Sequence, residues 1–154
     1  MSLTVYRCGK AKYRKSLFSG VGGLYVSGRW TPRGHPVVYA SEHASLAILD
    51  YLANYRRLEW LPDTVIAAAE VPDEVSIASV DPTNLPKDWN KPTPPETLMG
   101  IGKRWLEQGQ TAVLEVPSVL APGESNYLLN PRHPDYTLIR LGKPQDYLPD
   151  NRLL

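Results

Sequence analysis

Cysteine occurs once in the 154 residues, as Cys8. One thiol closes no internal disulfide and supplies no cysteine-based zinc site, which fits a reducing compartment. Excess charge of one sign is also missing. Seventeen Lys and Arg face sixteen Asp and Glu, a formal net charge of +1. That balance gives no long-range field toward nucleic acid or an anionic membrane, so any anion site has to be built locally. No apolar run approaches the roughly 20 residues that span a bilayer, and the opening MSLTVYRCGKAKYRK lacks the order of a secretory leader. The expectation is a cytoplasmic protein without membrane contact. Internal repeats are absent, and GVGG at Gly20–Gly23 lacks the strand-turn-helix setting and the lysine of a phosphate loop. The basic run KAKYRKS, Lys10 to Ser16, reads as a solvated loop and not as a nucleic-acid patch.

What is present suits one domain over residues 1–154. The 42% hydrophobic content is too high for a disordered chain, although fifteen prolines and eleven glycines make it rich in turns. Five of those prolines fall in DPTNLPKDWNKPTPP, Asp81 to Pro95, which reads as a long surface loop. Strand-prone runs recur as LTVYR, LYVSGRW, PVVYA, TVIAAAEV, VSIASV, TAVLEV and YTLIRL. Two helices are predicted, one capped by Ser41 and running to about Arg57, the other from about Pro95 to Glu107. Strands outnumber helices, so the expected class is α+β with a mixed or antiparallel sheet and flanking helices.

The first helix poses a problem of charge. Ala44, Ala47, Ile48, Tyr51, Leu52 and Tyr55 form a core-facing stripe, and Leu46, Leu49 and Ala53 make the other side apolar too. Asp50 is the only charge from Ala44 through Ala53. A carboxylate is costly to bury, so Asp50 is either a capping or surface group or part of a site.

Further features stand apart in sequence: Arg7 in VYRCG, GRW at Gly28–Trp30, VVYAS at Val37–Ser41, and EVPSVLAPGESNYLLNPRHPD from Glu115 to Asp135. With AILDYL and the ending DYLPDNRLL they resemble the RES domain, the toxin half of RES-Xre toxin-antitoxin modules. The resemblance implies a fold similar to ADP-ribosyltransferases and an enzyme that consumes NAD+ as substrate, with no metal. It implies an Xre-type helix-turn-helix antitoxin as partner, indirect DNA contact at most, and self-association of the toxin.

The same resemblance assigns tasks. Arg29 and Arg7 would pair with the pyrophosphate, for which a guanidinium offers a rigid fork of donors. Trp30 would join them in the nucleotide site. Tyr39 would stack on the cationic nicotinamide, its bland alternative being a core tyrosine with a bonded hydroxyl. Ser118 and Asn126 would orient the ribose or the catalytic carboxylate, although loop serine and asparagine are usually turn formers. Asp50 would be that carboxylate, with Arg29, Tyr39 and Ser118 completing the catalytic set.

The family pattern has glutamate where this chain has Asp50. Aspartate is shorter by one methylene, so three outcomes stay open: a cleft closed around it, a weak enzyme, or a binding module for nucleotide or partner without turnover. Glu115 and Glu124 are candidate substitutes. A protein ADP-ribosyltransferase would use the same pocket with another acceptor. A ribonuclease based on His35, His133 and Arg29 lacks the basic footprint such an enzyme needs.

Overall fold

The computed structural model describes residues 2–154. Its regular elements are β1 (Leu3–Lys10), β2 (Val38–Ser41), α1 (Ala44–Leu52), β3 (Thr64–Val71), β4 (Ile77–Ser79), α2 (Thr97–Gln108), β5 (Val113–Pro117), β6 (Ser125–Leu129), β7 (Arg140–Leu141) and β8 (Gln145–Tyr147). The strands form one sheet in the order β4-β5-β6-β2-β1-β3-β7, with β8 also on β3. Only β4 and β5 run parallel; the other pairs are antiparallel. This is the α+β class with a mixed sheet that the sequence predicts.

Period-two alternation sorts the side chains onto two faces. Val5 of β1, Val38 and Ala40 of β2, Val65, Ala67 and Ala69 of β3, and Tyr127 and Leu129 of β6 share one core. On the other face Tyr39, Leu114, Val116 and Leu128 pack with Trp30 and with Leu98 and Trp105 of α2. Full burial of side chains such as Leu98 and Leu128 stabilises the fold by about 1.5–3 kcal/mol each. α2 is pressed closely onto this core: the Gly102 N–H donates to the Trp30 carbonyl at 3.0 Å, and a Cβ at Gly102 would sit only 2.0 Å from that oxygen.

β1 and β2 share a single register pair, Tyr6 with Ser41. Continuing that ladder would bring Cys8 opposite Tyr39. Instead the strands part, and the Tyr39 carbonyl accepts from Nη1 of Arg7 at 2.8 Å. Among the described residues no helix is long and apolar enough to cross a membrane. Burial pushes the Cys8 thiol up to about 11, so this cysteine is inert at neutral pH.

Several sequence expectations are corrected. LYVSGRW is not a strand: Val21–Leu24 is a 3-10 turn, and Tyr25 and Val26 are 73% and 68% exposed. The Gly28 N–H donates to the Thr31 carbonyl at 2.9 Å, closing a turn around Arg29 and Trp30. The first helix is shorter than Ser41–Arg57, because pairing with Asn126 holds Ser41 in β2 and the Asn54 amide donates to the Asp50 and Tyr51 carbonyls at the helix end. Its buried residues are Leu46, Ala47 and Leu52. In YTLIRL only Arg140–Leu141 is strand, since His133 accepts from the Asp135 N–H and starts the 3-10 turn Pro134–Leu138. β6, which lies between β5 and β2 in the sheet, is not among the predicted runs, because it opens on polar Ser125 and Asn126.

Candidate active site

Asp50 lies on α1 above the sheet face that carries Tyr39 and Ser41. Its Oδ2 accepts from the Ser41 hydroxyl at 3.0 Å and from the Asn126 amide at 2.8 Å. The same amide lies 3.0 Å from Ser41 Oγ and 3.3 Å from the Ala40 carbonyl. Register explains the convergence: Ser41 is the antiparallel partner of Asn126, so both side chains rise from the same face beneath the helix. Oδ1 of Asp50 takes no hydrogen bond from the described residues. Since no buried side-chain oxygen or nitrogen among them is left without a partner, Oδ1 is not fully buried and stays open to a further donor. Burial pushes the Asp50 carboxyl above the usual carboxylate range, and the Asn126 and Ser41 bonds counter only part of that.

Ser41 is the site residue that sequence reasoning missed, having been assigned to a helix cap. The usable signal was alternation: two residues after Tyr39 on one strand, Ser41 has to share its face.

Tyr39 is held at both ends. Its hydroxyl shares a 2.7 Å hydrogen bond with the Thr31 hydroxyl and lies 3.3 Å from the Trp30 N–H. A Cβ at Gly28 would come within 2.4 Å of that hydroxyl, so glycine is needed there. Burial, the largest influence, raises the phenol above its ordinary value despite these bonds. Tyr39 thus fixes the GRW turn. Trp30, only 3% exposed, anchors the same turn in the core and tilts its ring at 38° to Trp89, 6.2 Å away.

Arg29 is half-buried on that turn. Its Nη1 donates to the carbonyls of Trp89 and Lys91, both at 2.8 Å. These are neutral acceptors; no carboxylate pairs with Arg29, and its Nε and Nη2 have no partner among the described residues. Partial burial lowers its pKa. Arg7 is spent differently. It falls on the Val5 and Ala67 side of β1, donating from Nε to the Leu17 carbonyl and from Nη1 to that of Tyr39, each at 2.8 Å. Desolvation lowers its pKa.

Ser118 is 4% exposed and closes the β5–β6 turn: its hydroxyl accepts from the Ala121 N–H at 3.0 Å, and its N–H donates to the Glu124 carbonyl at 2.9 Å. The structure therefore brings Ser41, Asp50 and Asn126 into direct contact and joins Tyr39 to the GRW turn; no hydrogen bond links Arg7, Arg29 or Ser118 to Asp50.

The candidate substitutes for Asp50 are both engaged. Glu115 accepts from Ser79 at 2.9 Å through Oε1, and from Ser125 at 2.8 Å and Tyr127 at 3.1 Å through Oε2. Glu124 lies 2.8 Å from Nδ1 of His43. No group of His, Cys, Asp and Glu suited to a metal ion lies among the described residues. A hollow of about 560 Å³ lies elsewhere, between Leu58, Asp63 and Tyr147. Its Arg14 is already paired with Asp146 at 2.6 Å. A hollow so furnished offers less to bond cleavage than the open oxygen of Asp50.

Residues 4–150 match the model of the RES domain family. The chain is 36% identical over 154 residues to Toxin Res of Photorhabdus laumondii, covering 99% of this chain and 97% of that protein. It is 34% identical over 145 residues to the Prs ADP-ribosylating toxin of a Sphingobium species, covering 92% and 89% of the two. A chain in the crystal structure of the M. tuberculosis MbcT-MbcA toxin-antitoxin complex has the same fold, with a TM-score of 0.74 at 18% identity, over 96% of this chain and 85% of that one. With nearly its whole length matched, the chain belongs to the RES domain family.

Proposed function

We propose that this chain is the toxin of a toxin-antitoxin pair and acts in the cytoplasm by breaking the bond between nicotinamide and ribose in NAD+. The observation that carries the reading is the carboxylate of Asp50, fixed through Oδ2 by two donors and open at Oδ1. As the glycosidic bond lengthens, its electron pair leaves with nicotinamide and positive charge grows on the ribose. A preorganised carboxylate opposes that charge and can accept a hydrogen bond from a ribose hydroxyl. Water attacking the anomeric carbon gives ADP-ribose and a proton; phosphate in its place gives a phosphorylated ADP-ribose. Asn126 and Ser41 hold the carboxylate, and Arg29 offers its free nitrogens to the pyrophosphate. Tyr39 and Trp30 set the turn that carries Arg29, Tyr39 with its ring toward the nicotinamide, while Ser118 closes the turn that leads to Asn126 and Arg7 steadies Tyr39 through its carbonyl from the far face of the sheet.

Purified protein incubated with NAD+, with products separated by mass, tests this. Nicotinamide with free or phosphorylated ADP-ribose is expected, and unchanged NAD+ refutes the reading. A second reading, transfer of ADP-ribose to a protein, is favoured by the similarity to a protein named an ADP-ribosylating toxin; protein-bound ADP-ribose in the same assay selects it. An antitoxin partner is supported by a same-fold chain having crystallised in a toxin-antitoxin complex; that this antitoxin is of Xre type, and that two toxin copies pair, is what the family resemblance implies.

A further inference from the structure

The proline-rich loop 81–95 is more than a surface connection. Two of its carbonyls, those of Trp89 and Lys91, grip one nitrogen of Arg29 at 2.8 Å each. Successive turns aim them: the Trp89 N–H donates to Pro86 and the Lys91 N–H to Asp88, at 3.1 and 3.2 Å. The Trp89 ring packs on Trp30, the neighbour of Arg29 in sequence. Carbonyl dipoles orient a cation without neutralising it, so Arg29 keeps its full charge. With both N–H bonds of Nη1 donated to the loop, what remains is the Nε–Nη2 edge, whose parallel N–H bonds match two oxygens of one phosphate.

We propose that the Trp89–Lys91 segment is a positioning element of the nucleotide site. Trp89, seated on Trp30, holds the two carbonyls that orient Arg29, so that its Nε–Nη2 edge is preset for the diphosphate of the substrate. This rests on the reading of Arg29 as the pyrophosphate ligand. It adds Trp89, on a loop otherwise read as surface, as a residue that sets affinity without touching the nucleotide.

The test compares ADP-ribose with nicotinamide riboside, which has no phosphate, by calorimetric titration of the full chain. Trp89→Ala is expected to weaken ADP-ribose binding about tenfold while changing nicotinamide riboside binding less than about twofold, because only the charge-assisted phosphate contact depends on the set of the fork. In turnover the KM for NAD+ rises and kcat stays. Trp89→Phe, which keeps a flat ring on Trp30, restores most of the affinity. If Trp89→Ala does not fold, Trp89→Leu takes its place with the same expected split. Equal weakening of both ligands, or undiminished ADP-ribose affinity in a folded variant, overturns the proposal. Wild-type protein that binds neither ADP-ribose nor NAD+ overturns the underlying reading of the site, a result distinct from either.

Discussion

Two carboxylates flank β6 on opposite faces and meet opposite fates. Asn126 points to one face and serves Asp50; Ser125 and Tyr127, its neighbours along the strand, point to the other and serve Glu115. Glu115 collects three hydroxyl donors over both oxygens. Partial burial pushes it up, but Ser125, Ser79 and Tyr127 together outweigh that and hold it below the usual carboxylate range. Asp50 collects two donors on one oxygen, and burial wins. The lesson concerns availability. A carboxylate with both oxygens occupied ties strands together, whereas one fixed by a single oxygen is rigid and still has a free oxygen for a substrate.

The largest expected effect tests that contrast on rate. Asp50→Asn keeps the shape and removes the charge, so NAD+ turnover should fall by about 100-fold or more, whereas Glu115→Gln should leave it within about threefold. Similar losses in both variants, measured by nicotinamide release, would end the distinction. Thermal stability at neutral pH should not fall in Asp50→Asn, since burial already disfavours the ionised form at that position.

Asp50→Glu sharpens the comparison. The Ser41 and Asn126 donors stand 3.0 and 2.8 Å from the shorter side chain, so the scaffold fits aspartate. The extra methylene displaces the carboxylate from them, and turnover should drop about tenfold, given how steeply rate depends on placement. A rise in turnover would show that the frame still fits glutamate.

Acid titration separates the two groups by sign. Glu115 is depressed in the fold, so its contribution to stability is present above its unfolded pKa and is lost as pH falls through the lower folded value. Asp50 is raised, so the folded protein binds its proton more tightly, and ionisation weakens the fold as pH rises toward and through the folded pKa. The acid limb of the turnover profile should accordingly lie above the ordinary carboxylate range and vanish in Asp50→Asn. The smallest effect is on stability: Glu115→Gln should cost about 1–2 kcal/mol at pH 7 in denaturant melts, allowing for its partial exposure, and less as pH is lowered.

Much was legible in the chain. The β-prone run TVIAAAEV gives β3, and α2 starts and ends within two residues of its predicted bounds. Asp50 was singled out because a lone charge in an apolar helix needs a reason. The motifs around it, among them GRW and NYLL, carry the family. Those signals are local, since periodicity and composition act over a few residues.

What tertiary structure decided is where polar groups spend their hydrogen bonds. Asn126 reaches Asp50 across 76 positions only because β6 pairs with β2 in one register, and a slip of one residue would have turned Asn126 to the face of Glu115. Arg29 meets loop carbonyls 60 and 62 positions away, and Glu115, which in sequence was a possible substitute for Asp50, is enclosed by hydroxyls from β4 and β6. Sequence fixes which residues carry charge or a donor, but a hydrogen bond is made or lost within a few tenths of an ångström, and only the packed sheet sets distances that finely.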